Sequence, residues 1–213
     1  MTTRPRGLHR STAGLLAIEL PTRHGIHSFE LDRACVAFYN GTTQTEAVTT
    51  CVNWAIHRAV HTMHPGFTHT ELAFHFVSED KRSECWMSCC IYRNTALHFE
   101  AKTGKYFTEH FVPAWTVLQL VLKKPTLEQL LLDCVNDVQL GLAFNETFWW
   151  NFLMPFRFCR TRGQLRQSTW CSEHVAFRLA RLDICAFAAP ERLTPQAIYD
   201  CLIENGCTQY TKG

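Results

Sequence analysis

The chain has 213 residues, 46% of them hydrophobic with 15 Phe and 6 Trp, and a formal net charge of +2. That is enough for one domain with a substantial core, or one domain with an appendage. It is too little charge for a nucleic-acid footprint or a strongly acidic partner.

Eleven cysteines make a high and odd count. Their spacing is irregular, and a chain of this size does not need disulfide staples, so most read as buried small hydrophobes. The apolar run Leu15–Leu20 is interrupted by Glu19 and ended by Pro21, and it lacks a small-residue cleavage site, so no secretory signal is expected. No apolar stretch approaches the roughly 20 residues needed to cross a bilayer, so no transmembrane segment is expected, while peripheral membrane contact stays open. These features predict a soluble protein of a reducing, intracellular (cytoplasmic) compartment.

Along the chain, residues 1–12 are polar and basic without periodicity and read as a flexible tail, leaving 13–213 as a single domain. Glu30–Tyr39 reads as a strand closed by an Asn40-Gly41 turn. From Thr43 to His64, Val48, Val52, Ile56 and Met63 recur at helical spacing until Pro65-Gly66 stops them. The period then shortens. Thr70–Val77, Trp86–Tyr92, Leu97–Ala101 and Trp115–Leu122 are short β-branched or aromatic runs, expected to be consecutive antiparallel strands. A helix follows with Thr126 as N-cap and Gln129 as its capping-box partner, ending near Gly141. Phe144–Phe158 is densely aromatic and suits a core or a cleft wall. Trp149 and Trp150 belong to it, and either pack in the core or wall an acyl site. Arg157, Arg160, Arg162 and Arg166 read as a solvated loop or as a gate for an anionic substrate.

Next comes Ser168-Thr169-Trp170-Cys171-Ser172-Glu173-His174-Val175. Cys171 falls in the first turn of a predicted helix, with Ser168 and Thr169 as candidate caps and Val175, Leu179 and Leu182 as the buried stripe. Unpaired N–H groups and the positive dipole end favour a thiolate there, and could also hold a developing oxyanion. Thr194-Pro195 opens the last helix, which ends at Asn205-Gly206. The fold class is α+β, an antiparallel sheet packed against helices.

A cysteine nucleophile needs a base, and the base needs an orienting group. His69 opens a strand just after the Pro65-Gly66-Phe67 break and is the candidate base. Glu100 alternates with apolar neighbours on a strand expected to pair with that of His69, and is the candidate third member. Against this stands a zinc reading, with His61, His64 and His69 near Cys85, Cys89 and Cys90. The histidines His57, His61 and His64 suit a helix's last turn, and adjacent Cys89 and Cys90 would face opposite sides of a strand, so no metal or cofactor is assigned.

The order of these pieces resembles the circularly permuted NlpC/P60 group of papain-like thiol hydrolases. Phe67-Thr68-His69-Thr70-Glu71-Leu72 looks like that group's histidine strand, and His98-Phe99-Glu100-Ala101 like its third-residue strand. Gly141-Leu142-Ala143-Phe144-Asn145 resembles the segment before the nucleophile, Trp170-Cys171-Ser172-Glu173 the nucleophile motif, and Leu193-Thr194-Pro195 the start of the last helix. The resemblance covers roughly residues 65–205. It implies a permuted papain-like fold in which Cys171 is the nucleophile, His69 the base and Glu100 the orienting residue, with Glu173 structural. The activity implied is that of a thiol hydrolase (peptidase or amidase) or acyl-transferase working on a peptide, amide, thioester, ester or acyl-lipid. A catalytically inactive structural or host-interaction protein on the same fold is the alternative. Members of the group also occur in large DNA viruses. Two departures stand out: His174 replaces a usually apolar residue, and Val77–Cys85 lengthens the turn after the histidine strand.

Overall fold

The computed structural model describes residues 6–11, 14, 16–22, 25–39, 66–67, 69–80, 82–91, 95–102, 115–144, 168–185 and 193–210. The helix expected over 43–64, most of the aromatic stretch 144–158 and the arginines of 157–166 lie outside the described residues.

The described elements are β1 (Arg6–Arg10), β2 (Leu16–Thr22), β3 (Gly25–Tyr39), β4 (His69–Ser78), β5 (Glu84–Cys90), β6 (His98–Lys102) and β7 (Trp115–Gln119), then α1 (Lys124–Gln139), β8 (Ala143–Phe144), β9 (Ser168–Thr169), α2 (Cys171–Arg181), α3 (Pro195–Glu204) and β10 (Thr208–Gln209). The architecture is α+β, a curled antiparallel sheet with three helices among the described residues. No described helix is long and apolar enough to cross a membrane.

The strands run β1-β2-β3-β4-β5-β6, with β7 and β10 attached through β3. β3 organises the whole. One edge pairs with β4 from Phe29 to Tyr39, while the other is shared, Gly25–Glu30 pairing with β2 and Cys35–Tyr39 with β7. Strands β4, β5 and β6 follow in sequence as expected, but β7 returns to β3 instead of adding beyond β6. Residues 6–10 are an edge strand and not part of a flexible tail. Backbone pairing with Leu16–Glu19 gives this polar segment partners that side-chain periodicity could not announce.

Alternation along β4 sends Leu72, Phe74 and Phe76 into the main core, where they meet Val36 and Phe38 of β3 and Met87 and Cys89 of β5. The helices close that face with Leu127, Leu130 and Leu131 of α1, Val175, Ala176 and Leu179 of α2, and Ile198 and Leu202 of α3. Burying each Val, Leu, Ile, Phe or Met side chain among these contributes about 1.5–3 kcal/mol. The opposite face holds a smaller cluster of Cys35, Ala37, Ala73, Trp86 and Val117.

Helix α1 starts earlier than its sequence suggests. Its N-cap is Lys123, with proline in the first turn, and Gln129 donates to Asp133 at 2.8 Å instead of completing a box with Thr126. Proline needs no N–H partner in a first turn, so Pro125 sets the start. For α3 the expected cap holds: Thr194 Oγ1 accepts from the Ala197 N–H at 3.1 Å. Just upstream of β4, Phe67 packs against Phe38 and Tyr199 with ring centroids 5.3 and 5.0 Å away. Gly66 adopts φ +125° against the Gln196 side chain, where a Cβ would collide. Together these contacts fix where β4 begins.

Candidate active site

Two short strands set the start of α2. Ala143 and Phe144 pair in parallel with Ser168 and Thr169, and the Leu97 N–H donates to the Leu142 carbonyl at 2.7 Å. The chain thus enters α2 from a strand tied to the β6 side of the sheet. The N-cap is Trp170, extended at φ −127° and ψ 173°, with no side-chain cap bond. The expected caps Ser168 and Thr169 stand before that position, on β9. Thr169 Oγ1 instead donates to Glu173 Oε2 at 3.0 Å, and Trp170 Nε1 donates to Ser172 Oγ at 3.0 Å. Buried Glu173 therefore pins the first turn, where the helix dipole favours an anion. Its expected structural role fits that contact.

Cys171 is the first residue of α2 and stays partly exposed. His69 is the first residue of β4, and α2 packs on that strand. His69 lies opposite Tyr39 in the sheet, and its ring meets Trp115 edge-on with centroids 6.1 Å apart. Cys171 and His69 are hydrogen-bonded and coupled by charge. Burial opposes the thiolate. The His69 charge and hydrogen bond outweigh it, together with backbone hydrogen bonds from Thr70 and Ser172, and hold Cys171 below the ordinary thiol range. Burial likewise opposes a charged His69, yet Cys171 and Glu71 push its pKa up to about 9. Burial lifts other thiols in the chain: Cys35 and Cys85 are pushed up to about 12.

The carboxylate beside His69 is Glu71, not Glu100. Glu71 stands one pleat further along β4, is fully buried, and places Oε2 3.5 Å from His69 Nε2. Glu100 sits on β6, which pairs with β5 and not with β4. It faces Ser88, and Ser88 faces Ala73, so Glu100 is two strands across and four residues along from His69. By strand spacing that is roughly 16 Å between Cα atoms. The Glu100 carboxylate lies instead 3.9 Å from the Cys90 thiol. The two-residue spacing His69-Thr70-Glu71 was visible in the sequence, since i and i+2 share a strand face.

His174 is turned away from the thiol. Its Nε2 lies 3.0 Å from Asp137 Oδ2 on α1, and Arg178 binds the same carboxylate. Burial depresses the His174 pKa against the pull of Asp137. Of the zinc reading, His61 and His64 lie outside the described residues. Cys85 and Cys89 belong to the helix-covered core, and Cys90 points to the other face, beside His98. A cavity of about 150 Å³ lined by Arg33, Gln119, Leu122 and Leu127 contains neither Cys171 nor His69.

Compared with models of known families, with curated proteins and with solved structures, the chain matches none of them.

Proposed function

We propose that the protein is a thiol hydrolase or acyl-transferase of the permuted papain-like kind, acting on an amide, thioester or ester of a peptide or acyl-lipid. The observation that carries this reading is the contact between Cys171 at a helix start and His69, itself braced by buried Glu71. Glu71 takes the orienting role that the sequence suggested for Glu100.

In the proposed reaction the Cys171 thiolate attacks the carbonyl carbon. The Cys171 backbone N–H, which has no partner within the helix, meets the developing oxyanion. The His69 imidazolium gives its proton to the departing amine, thiol or alcohol as that bond breaks. Neutral His69 then takes a proton from water or another acceptor, which attacks the acyl-enzyme and restores the thiolate. Glu71 stands beside the imidazole as a carboxylate and favours its charged form throughout.

The test is labelling of native protein by an acyl-electrophile probe across pH, with the modified cysteine mapped by mass spectrometry. Cys171 is expected to react first, ahead of the buried thiols. Equal labelling of Cys171 and the other cysteines, or an unchanged rate in His69→Ala, would end this reading.

A further inference from the structure

Glu100, released from the active site, belongs to another cluster. Cys90 of β5 and His98 of β6 are direct cross-strand partners, and Glu100 follows His98 by two residues on the same strand face. Their side chains converge: the Cys90 Sγ lies 3.6 Å from His98 Nε2 and 3.9 Å from Glu100 Oε2, and the three ligand atoms fall within 4.8 Å of one another. We propose that Cys90, His98 and Glu100 bind a divalent transition-metal ion, with Zn²⁺ preferred.

Four observations support this independently of the hydrolase reading. The first is geometry. Around a tetrahedral Zn²⁺, bond lengths of about 2.3 Å to sulfur and 2.0–2.1 Å to nitrogen or oxygen put neighbouring ligand atoms about 3.5 Å apart. The Cys90 sulfur already stands near that separation from both partners, and the third pair lies within 4.8 Å, so binding needs only side-chain adjustment. The second is the tautomer. His98 Nδ1 lies 2.8 Å from the Ala96 carbonyl, which can only accept, so Nδ1 carries the proton and Nε2 presents its lone pair to the site. A ligating imidazole is typically oriented by such a carbonyl behind it.

The third is charge. Binding displaces the Cys90 thiol proton to solvent, leaving one thiolate, one carboxylate and a neutral imidazole, which together neutralise a divalent ion. The fourth is access. Cys90 is buried while His98 and Glu100 are only partly so, on strand β6. A thiolate, an imidazole and a carboxylate together suit borderline-soft Zn²⁺ better than Mg²⁺ or Ca²⁺. With three protein ligands, water fills the fourth position.

A second trio, Cys89, Cys134 and His174, also converges, but all three are buried. Asp137 already engages His174 Nε2, and the Arg178 guanidinium lies on the same carboxylate. That cation disfavours a divalent ion in the core.

The decisive experiment is titration of the reduced, chelator-stripped 213-residue chain with Co²⁺, followed by competition with Zn²⁺. One Co²⁺ per chain should bind, with thiolate-to-metal charge-transfer absorption in the near ultraviolet, and Zn²⁺ should displace it. Cys90→Ser should abolish that absorption. His98→Gln and Glu100→Gln should each weaken binding by at least the roughly 10-fold to 100-fold that loss of an outer-shell partner costs. These two partly exposed positions carry the test should Cys90→Ser fail to fold. Substoichiometric binding to the unaltered chain, or absorption kept in Cys90→Ser and lost in Cys134→Ser, would overturn the proposal.

Discussion

Glu71 and His69 share one face of β4, with Glu71 Oε2 3.5 Å from His69 Nε2 and the carboxylate fully buried. A buried carboxylate so close to an imidazole favours its protonated form, and through it the Cys171 thiolate. Glu71→Gln is therefore expected to pull the alkaline limit of Cys171 acylation down from about 9, with acylation beyond that limit falling about tenfold for each pKa unit lost. Measured with chelator present, Glu100→Gln should cost clearly less. Equal losses in the two variants would return the orienting role to Glu100.

His69→Ala leaves Cys171 with burial and without its counter-ion, so the thiol pKa moves upward. Loss of a positioned acid–base group costs typically about 10²–10⁴-fold. A fall of at least that lower size in turnover of an activated ester should accompany an upward shift in the pH midpoint of alkylation. An unshifted midpoint counts against the ion pair.

The pair also sets a pH window. His69 is raised to about 9 from 6.5, so its contribution to folding is complete below the unfolded value and lost as pH rises through about 9. Cys171 is lowered from 9.0, so its contribution is present above that value and lost as pH falls through the lowered one. Acyl transfer, which needs thiolate and imidazolium together, should be bell-shaped with an upper limb near 9. Simple alkylation needs only the thiolate and should not fall on that limb. Stopped-flow profiles of the two reactions distinguish these behaviours.

Asp137 joins α1 to α2 by receiving both His174 and Arg178 in the core. Removing one member of a buried ion pair typically costs about 3–5 kcal/mol. Arg178→Ala should lower the denaturant midpoint accordingly, while the His174→Phe change should cost less because the Arg178–Asp137 pair survives. The Asp137 carboxyl is held below its usual range, burial opposing and His174 and Arg178 prevailing, so its contribution fades as pH falls through that lowered value. Equilibrium unfolding across acidic pH measures it.

Much of this site was legible from particular residues. Cys171 at a helix start, His69 at a strand start and the Thr194 cap follow from short-range chemistry that periodicity and capping rules capture. The expected nearness of Glu100 to His69 failed on pairing. Alternation places a residue on a face, but it does not say which strand lies beside which, and β5 stands between Glu100 and His69. Strand β1 escaped notice because an edge strand of Arg, Gly, Leu and His carries no apolar alternation. Trp170, a residue with little capping tendency, became the cap of α2 because β9 ends there and Thr169 is engaged by Glu173.

The parallel pair of Ala143–Phe144 with Ser168–Thr169 has a consequence for how such a protein can change. It holds Ala143 opposite Ser168 and Phe144 opposite Thr169, about 4.8 Å apart, the spacing of neighbouring strands. Each doubling in the length of such a closed segment costs only about 0.6 kcal/mol. The clasp fixes where the chain enters α2, whatever the length of chain between Phe144 and Ser168, and so keeps Cys171 against His69.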